Sequence, residues 1–394
     1  MKTVGIICEY NPFHLGHAGH IEKTRLCLGE NTAVVCVMSG NYVQRGDLAL
    51  FNKHARAKMA VLSGVDLVLE LQTPYALQSA EGFAKAGVHI LDKLGICDHL
   101  SFGSESGEIE TLKKAADAIV TDKANALTKQ WLGEGISYAS AQQKAADELL
   151  GSEASIFKTP NNVLGIEYIK ALNKANSEMT PMTVQRTGGD HDSDTGYSAS
   201  ALRKSFLRGE MPAAMMTKVA FDTGLEEIAS GRGPVSLKSV ELAVLSRLRS
   251  IEDYSVFPGV SEGLEQRIKK YAASGSSIAS ILTNIKTKRY TMSRLRRILV
   301  CATLGIGKDH LVKTPPYIRV LAMNNKGMKL LGIAQKKARL PIITKPASVY
   351  DLDKSAIDLF ELEASATDFY VLAYPKESER SGEQEWKRSP VIIK

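Results

Sequence analysis

The chain has 394 residues, 44% hydrophobic and 24% charged, with 50 Lys+Arg against 43 Asp+Glu and five cysteines. This composition can fill sizeable cores and excludes a disordered or fibrous chain. The net charge of +7 is unevenly spread: residues 1–200 hold 18 Lys+Arg and 23 Asp+Glu, residues 201–350 hold 26 and 10, and residues 351–394 hold 6 and 10.

From the N-terminus, residues 3–8, 33–38, 66–71 and 99–102 are short runs rich in Val, Ile and Leu, as in buried parallel strands. Between them, 18–28, 53–63 and 78–94 carry apolar residues at helical spacing, and Gly64 supplies a stop signal. The alternation predicts an α/β fold, a Rossmann-like doubly wound parallel sheet over 1–205, with a helical insertion at about 108–158 and a returning strand at 182–186. Residues 206–312 predict a separate helical domain, with helices over 238–249, 262–272, 276–283 and 293–304. Residues 313–394 read as a small C-terminal α+β region, and SERSGEQEWKRS near its end as a surface hairpin or frayed tail. The N-terminal apolar stretch stops at Glu9, too short for a signal segment, and no window is long enough to span a bilayer. A cytoplasmic protein without a membrane partner is expected. Cys8, Cys27, Cys36, Cys97 and Cys301 include no C-x-x-C pair and read as reduced thiols.

Chemistry concentrates at the end of the first predicted strand, in GIICEYNPFHLGHAGHI. Asn11-Pro12 breaks the strand, and His14-Leu15-Gly16-His17 opens a helix. The carboxyl end of a parallel strand faces the ligand crevice. Gly16 removes a side chain where a nucleotide approaches, free amides at the helix start favour an anion, and His14 and His17 lie on one helical turn. Two imidazoles suit electrostatic stabilisation of a phosphate attacked in line. A metal reading of His14, His17 and His20 is weaker, because steps of three drift around the helix and no acid or Cys completes the set. The acids of the Gly-rich loop 188–194 read as a solvated turn, so no metal site is expected. Later, Tyr197-Ser198-Ala199-Ser200-Ala201-Leu202-Arg203 reads either as a helix cap or as a phosphate clamp in which Arg203 takes a leaving pyrophosphate.

Residues 286–345 hold 15 Lys/Arg and one acid, Asp309. Lys286, Lys288, Arg289, Arg294, Arg296 and Arg297 fall within twelve of those residues. Such a run is either a solvated helix face or a surface for a polyphosphate such as RNA, with Tyr290 and Tyr317 available to stack on an unpaired base.

The early H-x-G-H with a late S-x-S-x-L-R resembles the nucleotidylyltransferase superfamily, whose late motif is I-S-S-T-x-I/V-R; here Tyr197 replaces the Ile and Ala199 the second Ser. More specifically, the first motif together with GDLALFNKHARAKMAVLSGVDLVLELQTPYA, LSFGSESG, KTPNNVLGIEYIKAL and RYTMSRLRRILVCATLGI resembles the bacterial tRNA(Met) cytidine acetate ligase family, from residue 1 to about 345. The resemblance implies an ATP-dependent ligase that activates acetate as acetyl-adenylate. The acetyl group then passes to N4 of the wobble cytidine of elongator tRNA(Met), giving N4-acetylcytidine. It implies an ATP site made of Ile7, Cys8, Glu9, Tyr10, Asn11, Pro12, Phe13, His14, Leu15, Gly16, His17, Ala18, Gly19 and His20, with His14 and His17 catalytic. Gly103, Asn162 and Arg186, with Ser198, Ser200 and Arg203, complete the pocket. Mg2+ is expected with the ATP, held by phosphate oxygens and water, and no stable protein partner is expected. The alternatives are a nucleotidylyltransferase acting on a small phosphate ester, which has no need of so basic a segment, and a non-catalytic tRNA-binding factor. Residues 346–394 receive no function.

Overall fold

The computed structural model describes residues 1–186, 198–261, 263–311 and 314–394; the 188–194 loop and Tyr197 lie outside the described residues. The chain begins with β1 (Thr3–Cys8), α1 (Leu15–Leu28), β2 (Ala33–Ser39) and a small hairpin, β3 (Tyr42–Val43) and β4 (Asp47–Leu48). Next come α2 (Lys53–Leu62), β5 (Leu67–Leu71), α3 (Thr73–Ala76), α4 (Ala80–Leu94) and β6 (His99–Ser104). Helices α5 (Ile109–Ile119), α6 (Asp122–Gly133), α7 (Tyr138–Leu150) and α8 (Pro160–Ala175) precede β7 (Thr180–Gln185). Then follow α9 (Ala199–Leu207), α10 (Lys218–Ala229), α11 (Glu241–Arg249), α12 (Leu264–Ser274), α13 (Ile278–Ile285) and α14 (Met292–Leu304). The chain ends with β8 (Ile318–Asn324), α15 (Asn325–Lys337), β9 (Ile342–Ile343), α16 (Lys354–Val371), α17 (Gln384–Lys387) and β10 (Val391–Ile393).

Strands β5-β2-β1-β6-β7 lie side by side in that order, all parallel. Every residue of β2, AVVCVMS, is buried, because helices cover both faces of the sheet. One face packs Val35, Val37, Leu69 and Phe102 against Phe83, Ile90 and Ile166 of α4 and α8. The other packs Val34, Cys36, Met38 and Val68 against Ile21, Met59, Phe206 and Ala220 of α1, α2, α9 and α10. From β1 the chain steps outward to β2 and β5, then returns to β6 on the other side of β1. That reversal makes β1 and β6 the switch point, where a doubly wound sheet opens a crevice at its carboxyl ends.

The expected division at residues 205 and 312 is revised by the packing. Helix α10 belongs to the sheet's second face. The helical cluster α11–α14 incorporates Tyr42 and Leu48 of the hairpin, Tyr370 of α16 and Tyr374 just beyond it. The C-terminal region is not a small α+β unit of its own: β8 pairs antiparallel with β5 and extends the same sheet, and β9 and β10 pair with β8. Nor is the segment around SERSGEQEWKRS a frayed tail. Glu385 within it is buried on Lys53 and Arg319, since a carboxylate taken from water requires charged partners. Among the described residues no helix is long and apolar enough to cross a membrane.

Candidate active site

After β1 the backbone turns sharply at Tyr10, which has φ 44, and passes through a cis Asn11–Pro12 peptide. Asn11 is a fastening point: its Oδ1 accepts from the amide of Leu50 at 2.7 Å, and its carbonyl accepts from Nη1 of Arg203 at 2.9 Å. The first motif and the late motif therefore meet through Asn11 at the carboxyl end of β1.

His14 caps α1 in extended conformation (φ −139, ψ 173). Its Nδ1 accepts from the amide of Gly16 at 3.0 Å, while its own amide donates to Nδ1 of His17 at 3.2 Å. The two rings stack with centroids 3.7 Å apart, and the His17 ring also packs against Tyr10 and Phe13. Because both Nδ1 atoms accept, a neutral ring at either position carries its proton on Nε2. This corrects the expectation of free amides at the helix start: those of His14 and Gly16 are taken by the imidazoles. It also changes the reason for Gly16, where an added Cβ would sit 2.9 Å from Cε1 of His14. Glycine there lets the His14 ring fold back over the helix end.

The remaining residues of the first motif divide between core and site. Ile7, Tyr10 and Phe13 are core, and the hydroxyl of Tyr10 is 3.3 Å from Sγ of Cys36. Burial pushes the Cys8 thiol well up, so it stays protonated. His20 departs from the other histidines: its Nε2 lies 2.9 Å from Oγ of Ser101 on β6. Burial, with the charges of Arg186 and Lys23 adding to it, pushes His20 down to about 4, and the ring is neutral at pH 7.

Across the switch point, Gly103 leaves room for Arg186, whose Cγ would be 3.1 Å from a Cβ on residue 103. Asn162 does not cap its helix. Its Oδ1 accepts from the amides of Glu105 and Ser106 at 3.0 and 3.2 Å, while Glu105 accepts from the amide of Asn162 at 2.8 Å and from Nδ2 of Asn161 at 2.6 Å. Burial opposes the Glu105 charge, but these hydrogen bonds hold its carboxyl below the ordinary range. The FGSE and PNN motifs thus clamp each other. Ser198 caps α9 by accepting from the amide of Ala201 at 3.1 Å, and Ser200 follows in the first turn, half-buried. Burial lowers the Arg203 pKa, Glu9 and Asp47 counter this, and Arg45 adds to it, so these four charges share one neighbourhood.

The six basic residues separate by exposure. Lys286, Lys288, Arg289 and Arg296 are exposed. Arg294 is half-buried, with Nε and Nη2 on the carbonyl of Gly259 at 2.9 and 2.7 Å and its guanidinium over the Tyr290 ring. Arg297 donates to the carbonyl of Gln44 in the hairpin at 3.3 Å, and burial pushes it down to about 10. Two expectations are corrected here. Tyr290 is 7% exposed and Tyr317 fully buried, so neither offers a stacking face. The shortage of acids along 286–345 is partly made up in space, since Arg319 pairs with Glu385. Sequence reasoning missed the hairpin itself, although Gly46 within NYVQRGD marks a turn.

Among the described residues no set of three His, Cys, Asp or Glu side chains is placed to hold a metal ion.

A family model described as HIGH Nucleotidyl Transferase matches residues 1–385, past the point near 345 where the motifs thin out. The tRNA(Met) cytidine acetate ligase of Acetivibrio thermocellus is 38% identical over 416 residues, covering the whole of both chains. Its counterpart from Caldicellulosiruptor saccharolyticus is 40% identical over 403 residues, covering all of this chain and 99% of the relative. The crystal structure of Thermotoga maritima TmcAL bound with alpha-thio ATP superposes with a TM-score of 0.93 at 33% identity, and its apo form with 0.94 at 32%, each covering both chains fully.

Proposed function

The chain belongs to the tRNA(Met) cytidine acetate ligase family, and on that premise we propose how its residues carry the reaction. It is an ATP-dependent ligase. An acetate oxygen attacks the α-phosphorus of ATP, the bond to the bridging oxygen breaks, and pyrophosphate leaves with the electron pair. The N4 amine of the wobble cytidine of elongator tRNA(Met) then attacks the acetyl carbonyl, AMP departs, and the amine loses a proton. Neither step uses a protein nucleophile, so the protein's task is to position the reactants and stabilise charge.

The reading rests on the stacked His14–His17 pair at the switch point, joined to Arg203 through Asn11. The two imidazoles suit the non-bridging oxygens of a phosphate gaining negative charge. Arg203 suits the pyrophosphate. Gly103 and Arg186 line the other side of the crevice, and Asn162 acts by holding the FGSE loop. Ser198 and Ser200 of the late motif shape the start of α9. A divalent ion is expected with ATP, held mainly by phosphate oxygens and water. Lys286, Lys288, Arg289 and Arg296 provide the exposed charge for tRNA phosphates, while Arg294 and Arg297 support the surface from beneath.

Incubation with ATP, radiolabelled acetate and elongator tRNA(Met) tests the assignment. Acid-stable label in the wobble cytidine is expected; adenylylation of a small phosphate ester instead, or tRNA binding with no ATP consumed, overturns it.

A further inference from the structure

The hairpin β3–β4 leaves the carboxyl end of β2, the neighbour of β1, and bonds to two separate parts of the molecule through one residue, Gln44. The amide of Gln44 donates to Oε1 of Glu9, one residue beyond β1, at 2.6 Å. Its carbonyl accepts from Nη1 of Arg297 on α14 at 3.3 Å. A single residue thus joins the first motif to the helix that presents Arg296 to solvent.

Two residues further on, Gly46 (φ +76) lies against the backbone of the same helix, where an added Cβ would be 2.5 Å from N of Arg297 and 2.6 Å from C of Arg296. Main-chain atoms of a helix cannot turn aside as the end of a flexible side chain can, so a larger residue at 46 must move the helix or the hairpin. The hairpin has little room to yield. The hydroxyl of Tyr42 donates to the carbonyl of Ala366 at 2.8 Å, Oδ1 of Asp47 accepts from the amide of Leu237 at 3.2 Å, and Tyr42 and Leu48 are buried in the helical cluster. Backbone resting on backbone sets a separation that rotamer changes leave untouched.

We propose that Gln44 and Gly46 are positioning residues, and that the β3–β4 hairpin is a spacer holding the tRNA-bearing helix α14 at a set distance from the adenylate site. The inference rests on the ligase reading above. It assigns the hairpin to the second step, in which the cytidine amine must meet the acetyl carbonyl, and leaves activation of acetate to the crevice itself. A reaction between two separately held partners depends on their alignment, whereas activation needs only the groups around ATP.

Three quantities are measured for the full chain and for Gly46→Ala and Gly46→Asn: acetate-dependent ATP–pyrophosphate exchange without tRNA, acetyl transfer at saturating elongator tRNA(Met), and tRNA affinity without ATP. Both variants add the same Cβ against α14, but Asn tolerates a positive φ better than Ala, so a loss common to the two comes from displacement and not from backbone strain. Transfer is expected to fall about a hundredfold, the scale for a misplacement of about 1 Å, while exchange and tRNA affinity stay within about threefold. General damage to the fold would lower all three together. Transfer within about twofold of the parent, exchange falling in step with transfer, or a loss confined to tRNA affinity overturns the proposal. Folding is monitored by thermal melting, and if Gly46→Ala unfolds, Gly46→Asn alone decides. Absence of exchange in the parent chain refutes the ligase reading itself, a result distinct from a parent that exchanges and a variant that transfers as well as it does.

Discussion

Nζ of Lys53, at the start of α2, lies 2.8 Å from Oε2 of Glu385 in α17, and both side chains are almost fully buried. The same ammonium is 2.6 Å from Oε1 of Glu70 on β5, and Nη2 of Arg319 on β8 is 3.0 Å from Oε1 of Glu385. The end of the chain is thereby fastened to the strands beside the crevice. Helix α16 adds to the clasp: the hydroxyl of Tyr370 donates to the carbonyl of Ala49 at 2.8 Å, and Oδ1 of Asn41 accepts from the amide of Lys53 at 2.9 Å while its Nδ2 donates to Thr367.

Removing one member of this network should cost far more than removing a surface charge. Among the described residues, Lys53→Met leaves Glu70 and Glu385 with Arg319 as their remaining ion-pair partner, and a loss of about 3–5 kcal/mol is expected. Urea denaturation measures it. A loss below about 1 kcal/mol would mean that the pair is solvated in solution.

Glu363 of α16 accepts from the amide and hydroxyl of Thr73. Burial, reinforced by Glu70, pushes its carboxyl up to about 8. Between the ordinary value of 4.5 and about 8 the folded chain holds a proton that the unfolded chain has released, so this group makes stability fall as pH rises through that window. Glu363→Gln stays neutral throughout. Its melting temperature relative to the parent should therefore improve steadily from pH 5 to pH 8, and a pH-independent difference would contradict the raised pKa.

His14→Ala and His17→Ala each remove one imidazole and unmake the reciprocal cap. Acetate-dependent AMP formation should fall by about two orders of magnitude or more, with tRNA affinity largely retained. Parent-like AMP formation in both variants would refute their role.

Gly16→Ala separates two reasons for that glycine. The new methyl meets the His14 ring before any nucleotide arrives, so kcat should fall while the helix gains propensity and the melting temperature holds or rises. A rise in KM for ATP with kcat unchanged would favour direct contact with the nucleotide instead.

Arg296 and Arg294 should behave differently despite standing two residues apart. Arg296→Ala is expected to weaken tRNA binding and to reduce the salt slope by about one. Arg294→Ala removes the bonds to Gly259, so it should lower thermal stability first. Equal salt slopes for Arg296→Ala and the parent would place the tRNA elsewhere.

Much of the fold was legible because its signals are local. Parallel strands covered on both faces must be continuous apolar runs, and β1 and β2 stand where those runs predict them, with β2 one residue longer. The H-x-G-H motif announced itself by chain position, at a strand end opening a helix. What each residue does within it was less legible: that His14 and His17 occupy each other's backbone follows from ring orientation, which spacing alone leaves open.

The sequence alone determined the alternation of strand and helix, the place of the nucleotide motif and the concentration of basic charge in one stretch. Only the tertiary structure decided that β8 lies antiparallel beside β5, that the last residues belong to the first sheet, and which basic residues remain available to a partner. Periodicity is written between near neighbours in the chain. Compensation of a charge, burial of a ring and pairing of distant strands depend on neighbours in space: Arg319 counts as positive along the chain and is neutralised in the fold by Glu385.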